Sequence, residues 1–285
     1  MRLASFTHKG QDGFGVVRDD HVVDLTSDAK SLREALATWG LDGLRSRANS
    51  GTGVRRSLPE IAWQQPITNP DKILCVGLNY YDHAKEAGMA VPSRPSLFVR
   101  FPGSQVGHNA PVWRPRASSQ FDYEAELAVI IGRIARRVPE AQADDVIAGY
   151  ACFAENSVRD FQKHAAQATP GKNFTASGAF GPWMVAPDEA GPVGKMDVIG
   201  RLNGQEMQRD SAANMIFSVP QLISYISTFT TLLPGDVIVT GTPAGVGFTR
   251  KPPVWLVPGD RFDVEITGLG VLSNPVIDEP LSEGS

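Results

Sequence analysis

Phe121-Asp122-Tyr123-Glu124-Ala125-Glu126-Leu127-Ala128-Val129-Ile130-Ile131 sets carboxylates at alternate positions directly ahead of an apolar, β-branched run. Successive side chains of a strand point to opposite faces, so a strand here aims Asp122, Glu124 and Glu126 the same way. Like charges on one face of a partly buried sheet repel one another and resist leaving water, and a hard divalent cation is the common remedy. A solvated strand face answers the same pattern. On spacing alone it is the slightly better account, because acidic residues on exposed faces are ordinary.

The rest of the chain shifts that balance. Val146-Ile147-Ala148-Gly149-Tyr150-Ala151-Cys152-Phe153-Ala154 reads as a buried strand that ends at Glu155-Asn156-Ser157-Val158-Arg159-Asp160, placing a further carboxylate at a strand end. Upstream, the short apolar strand Lys72 to Gly77 runs into Leu78-Asn79-Tyr80-Tyr81-Asp82-His83-Ala84-Lys85-Glu86-Ala87-Gly88. Downstream come Gly171-Lys172-Asn173-Phe174 and Thr240-Gly241-Thr242-Pro243-Ala244-Gly245-Val246-Gly247.

In this order the segments resemble the fumarylacetoacetate hydrolase family, whose members carry G-x-N-Y-x-x-H-x-x-E, F-D-Y-E-x-E-L, an acidic residue before S-x-R-D, K-x-F and G-T-P-x-G-V-G. The resemblance spans residues 70–277. It implies that Glu124, Glu126 and Glu155 bind one divalent metal. Most relatives carry aspartate where Glu155 stands, so its extra methylene must be absorbed by a shift of metal or backbone. The resemblance also implies a homodimer, a place in aromatic catabolism and a lid formed by the segment between Gly77 and Gly88.

With 285 residues, 42% of them hydrophobic, the chain can bury a sizeable core in one large domain with an appendage. Net charge is −4 and the basic residues are dispersed, the densest being Arg133, Arg136 and Arg137, so no nucleic-acid footprint is present. No apolar stretch reaches the roughly 18 residues that span a bilayer, and no basic segment leads into an apolar block at the N-terminus. The expectation is a cytoplasmic protein without membrane contact. Cys75 and Cys152 lie in apolar strand patterns and predict no disulfide framework.

Residues 1–66 read as a small N-terminal domain. Leu3 to Phe6 and Gly15 to Val17 are short strands, Asp19-Asp20 turns the chain, and His21 to Leu25 returns as a hairpin partner. Ser31 to Trp39 shows helical spacing with Ser31 as N-cap, and Gly51-Thr52-Gly53 opens a proline-punctuated link. Residues 67–285 read as the catalytic domain, β-rich with few helices. Asn203-Gly204 predicts a two-residue hairpin, Pro234-Gly235-Asp236 and Pro258-Gly259-Asp260 each introduce a strand, and a helix capped by Ser218 runs from Val219 to Leu232. The fold class is therefore α+β and β-rich, and the resemblance makes the larger part a mixed β-roll with the metal at its mouth.

His83 and Glu86 stand three apart on a short helix, where a carboxylate can orient the imidazole and raise its basicity, as a general base requires. A chance pair on an exposed helix is the better account until the N-Y-x-x-H-x-x-E match is weighed. Lys172 alone is an ordinary loop lysine; the resemblance places it near the metal, holding substrate oxygens. Gly241, Gly245 and Gly247 do not fit a dinucleotide fingerprint, so no organic cofactor is expected, yet a glycine-rich turn with Thr242 can present Gly241 and its neighbours to a substrate carboxylate. Asp122 is placed behind the ligands, Arg159 with Asp160 forms an ion pair positioning the metal loop, and His108 and His164 are surface or structural.

Hard oxygen ligands suit Mg2+ or Mn2+, with Ca2+ also in the set, and suit zinc poorly. A small-molecule keto acid can chelate such a metal through adjacent carboxylate and keto oxygens. The leading expectation is hydrolysis of a carbon–carbon bond in an acylpyruvate-like 2,4-diketo acid, with His83 and Glu86 activating water and Lys172 helping to hold the departing enolate. Decarboxylation of oxaloacetate-like acids, or isomerisation or decarboxylation of hydroxymuconate-type acids, uses the same site without an attacking water. A ligand-binding protein with a vestigial site is the third reading, and the intact Glu124, Glu126, His83, Glu86 and Lys172 argue against it.

Overall fold

Strands Ala125–Ile131 and Ile147–Ala154 pair antiparallel, Ala125 opposite Ala154 and Ile130 opposite Gly149, and every residue of both is buried. Their near-continuous apolar sequence follows from being covered on both faces. Ala125, Leu127, Val129 and Ile131 pack into one core with Val198, Phe262, Val264 and Leu272. Ala128 and Ile130, from the alternate face, pack with Leu32, Leu36, Phe153 and Phe180 in another. The computed structural model describes residues 1–51 and 53–281, so Thr52 of the glycine-flanked link lies outside the described residues.

This pair lies within a 12-stranded mixed sheet. From edge to edge run Val54–Ser57, His21–Asp24, Gln11–Val17, Arg2–His8, Gly178–Val185, Ile147–Ala154, Ala125–Ile131, Val237–Val239, Ile73–Gly77 and Ser96–Arg100, with two short strands pairing off this path. A five-stranded sheet, Gln205–Ser211, Asp197–Leu202, Arg261–Ile266, Gly270–Asp278 and Val112–Arg114, packs across the pair. Strands and a few short helices thus form a sheet-rich α+β fold, with the N-terminal strands and helix at one end of the large sheet.

The sequence expectation of one strand from Phe121 to Ile131 is corrected. Phe121–Asp122 pairs with Ser157–Val158 in a separate two-stranded ribbon, and Tyr123 and Glu124 bridge to Ala125–Ile131 in the large sheet. Asp122 causes the break, because its carboxylate accepts from the amides of Tyr123 (2.9 Å), Gly247 (2.7 Å) and Phe248 (3.1 Å), tying the chain to the glycine-rich turn.

Ser31 caps helix Leu32–Asn49 through the Glu34 amide, and the helix continues past Trp39 through a kink at Gly40, φ +61°. Helix Val219–Phe229 has the capping box of Ser218 and Gln221, and it stops short of Leu232 because that residue exchanges backbone hydrogen bonds with Ala135. Asn203 and Gly204 make the expected hairpin, with φ of +53° and +81°. Both cysteines are buried and free. No helix among the described residues is long and apolar enough to cross a membrane.

Candidate active site

Backbone pairing creates the acidic cluster. Glu126 is the second residue of Ala125–Ile131, Glu124 just precedes that strand and Glu155 just follows Ile147–Ala154. Since Ala125 opposes Ala154, Glu124 and Glu155 are the next neighbours, and the Glu155 amide donates to the Glu124 carbonyl at 2.9 Å. Carboxylate oxygens of Glu124, Glu126 and Glu155 lie within 4.8 Å of one another. All three residues are buried, which excludes the solvated strand face.

Three buried cations face this cluster. Lys172, closing the short helix Thr169–Lys172, donates to Glu124 Oε2 at 2.6 Å, and its Nζ lies 4.9 Å from the Phe98 ring centroid. Arg159 contacts Glu124 Oε1 at 2.6 Å and Asp122 Oδ2 at 2.7 Å, with its guanidinium over the Phe248 ring. Its ion pair is therefore with Asp122 and Glu124 rather than with Asp160, which accepts from Ser118. Arg100, which the sequence reading missed, donates to Glu155 Oε1 at 3.2 Å.

These neighbours set the charge states. Burial would raise the Glu124 carboxyl, but Arg159 and Lys172 hold it down at about 2. Glu126 has Gly241 donating to Oε2 at 2.5 Å, yet burial and then the charges of Glu155 and Glu124 push its carboxyl well above the ordinary range. Burial also raises Asp122, against the pull of Arg159.

Glu155 Oε2 is buried and without a hydrogen-bond partner among the described residues. Buried carboxylate oxygens are almost always satisfied. An orphan oxygen beside two further carboxylates, without cysteine or histidine in the group, fits a hard divalent cation. The residues that would hold it are Glu124, Glu126 and Glu155.

Glu124 and Glu126 form part of the wall of a cavity of about 820 Å3 that His83, Phe98, Lys172 and Thr242 also line. His83 and Glu86 lie on helix Tyr81–Glu86, with His83 8% exposed. His83 Nδ1 is 2.8 Å from Glu86 Oε1. A carboxylate only accepts, so Nδ1 carries the proton and Nε2 is left as the basic nitrogen. Glu86 accepts in turn from the Gly245 amide (3.1 and 3.0 Å) and from Thr249 Oγ1 (3.2 Å). Burial opposes its ionisation, but the His83 ring and the Gly245 amide bring its pKa below the usual glutamate value.

Thr242 Oγ1 donates to the Ala125 carbonyl at 3.0 Å and accepts from Gln208 Nε2 at 2.8 Å, while the Gly241 amide is held by Glu126. Both residues expected to meet substrate therefore also brace the acidic cluster. Gln208, a second residue that sequence reasoning missed, additionally accepts from the Ala125 amide at 3.0 Å. His108 accepts from the Ser273 amide, and His164 packs on Phe161; neither lines the cavity.

Comparison with known proteins shows the family. Residues 72–277 match the family model described as fumarylacetoacetate (FAA) hydrolase C-terminal. A Xenopus laevis protein named oxaloacetate tautomerase fahd2, mitochondrial, is 41% identical over 289 residues, covering 97% of this chain and 90% of that protein. The solved fumarylacetoacetate hydrolase of Exiguobacterium antarcticum superposes with a TM-score of 0.86 at 35% identity, covering 98% of this chain and 100% of that one. Maleylpyruvate hydrolase from Sphingobium sp. SYK-6, solved with manganese(II) and pyruvate, gives 0.82 at 27% identity over 98% of this chain and 100% of that one. With the family model covering most of its length and the motif residues gathered around one cavity, the chain belongs to the fumarylacetoacetate hydrolase family.

Proposed function

We propose that this chain is a divalent-metal-dependent enzyme that acts on 2-oxo acids through an enolate, and that its reaction is keto–enol tautomerisation of an oxaloacetate-like acid. The observation that carries the reading is the His83–Glu86 dyad, with His83 lining the cavity that Glu124 and Glu126 also line. Glu124, Glu126 and Glu155 would hold the cation, which would supply Lewis-acid stabilisation of negative charge on a keto oxygen. His83 Nε2 takes a proton from the carbon beside the keto group and returns it, and Glu86 keeps the ring in the tautomer that allows this. Lys172 places a positive charge beside the same cluster, where substrate oxygens gather.

The likeness to a named oxaloacetate tautomerase runs over nearly the whole chain, which moves the weight from the hydrolysis expected on sequence. Hydrolysis of an acylpyruvate remains the second reading. It is favoured by the same dyad, since Nε2 can equally take its proton from water, and by the fold shared with maleylpyruvate hydrolase.

The test is turnover with Mg2+ or Mn2+ on oxaloacetate and on acylpyruvates in 18O-labelled water. Accelerated decay of the oxaloacetate enol absorbance, without carbon dioxide or pyruvate, is expected. Label in a released carboxylic acid would move the assignment to hydrolysis. Carbon dioxide as the main product would replace both with decarboxylation, and no metal-dependent change in any substrate would remove all of them.

A further inference from the structure

We propose that Arg100 is a positioning residue that makes Glu155 a single-oxygen ligand and thereby biases the site toward Mg2+ and Mn2+ over Ca2+. The inference rests on the reading of the three carboxylates as a metal site.

Arg100 ends strand Ser96–Arg100 at the edge of the large sheet, with its side chain wholly inside the protein. A buried guanidinium needs its donors matched, and here the partners are specific. Nη1 donates to Glu155 Oε1 and to the Asn156 carbonyl, both at 3.2 Å, Nη2 to Ser177 Oγ at 2.9 Å and Nε to Ser104 Oγ at 3.2 Å. Gly178 leaves room for this fork, because a Cβ there would lie 2.9 Å from Nη2. The fork thus grips one oxygen of Glu155 and the backbone just beyond it, while Oε2 keeps no partner among the described residues. Oε2 is the atom left for a cation.

Small, octahedral Mg2+ takes carboxylates through one oxygen each, whereas Ca2+ accommodates more ligands and often both oxygens of one carboxylate. A glutamate whose second oxygen is held by an arginine is restrained from turning to offer both. The arginine thereby withholds the bidentate arrangement that Ca2+ uses. Its planar fork matters as well as its charge, so lysine is not an equivalent replacement.

The experiment is calorimetric titration of the full-length protein with Mg2+, Mn2+ and Ca2+ separately, compared with Arg100→Lys and with the double variant Ser104→Ala/Ser177→Ala, which loosens the fork without removing it. Melting temperature is recorded alongside. Arg100→Lys should lose roughly 10–100-fold in Mg2+ and Mn2+ affinity, the scale seen when groups that orient metal ligands are removed, with a smaller loss for Ca2+. The double variant should shift the Mg2+/Ca2+ ratio in the same direction by a lesser factor. A merely structural role would lower the melting temperature and leave that ratio unchanged. If Arg100→Lys does not fold, the double variant decides. A ratio within twofold of the parent in every folded variant overturns the proposal while leaving the metal site standing. A parent protein that binds none of the three cations overturns both.

Discussion

Asp122, Glu124, Glu126 and Glu155 face Arg100, Arg159 and Lys172 inside the protein, so the acids outnumber the cations by one. Buried charge without a partner is costly, and burial and the neighbouring charges of Glu155 and Glu124 raise the Glu126 carboxyl well above the ordinary range, which favours its protonated form when no cation is bound. Metal uptake should therefore release about one proton, and apparent affinity should fall as pH falls, because protons compete for Glu126. Titrations in buffers of different ionisation enthalpy check this, and identical heats in all of them would contradict it. His83→Ala should lose about 10²–10⁴-fold in turnover, the scale of a general base, with metal affinity retained in calorimetry. Glu124, Glu126, His83 and Glu86 were legible through the family motifs they sit in, since spacing alone favoured a solvated strand face and a chance helical pair. Arg100 was not. An arginine at a strand end has the same sequence signature whether it meets water or, as here, a carboxylate 55 residues away.

Elements were legible where one local force fixes them. The Ser218 cap and the Asn203-Gly204 turn are examples, each being set by bonds or backbone angles within a few residues. The division at Tyr123–Glu124 was not, since it depends on Asp122 meeting amides of a turn more than a hundred residues away. That turn carries the next prediction. Gly245 has φ +101°, and a Cβ there would lie 2.2 Å from the Met207 carbonyl oxygen. Gly245→Ala should cost about 1–3 kcal/mol from the backbone angle alone, with the collision adding to it. It should also loosen the amide that holds Glu86, lowering kcat more than metal affinity. Denaturant unfolding and steady-state kinetics together check this, and a variant that matches the parent in both would refute it.

The N-terminal strands extend the same sheet that carries the acidic cluster, Arg2 pairing with Val185 and Leu3 with Met184. Leu3, Phe14, Val16, Leu32 and Leu36 share one core with Phe153, Phe180 and Met184. We propose that residues 1–66 are a separate segment in sequence that completes this core. A 67–285 fragment should then melt well below the full chain or aggregate, as calorimetry and light scattering would show; a fragment as stable as the parent would establish two independent units. The carboxylate of Glu86 has a different consequence. Its two oxygens tie its helix to the Gly245–Thr249 turn, and Oε1 also meets the His83 ring. His83 and Glu86 share the helix Tyr81–Glu86, so the contacts that join this pair to the rest of the fold are those that Glu86 makes with Gly245 and Thr249. One carboxylate thus serves as both anchor for the helix and guide for the imidazole, so a change at the glycine-rich turn reaches the base through a single side chain.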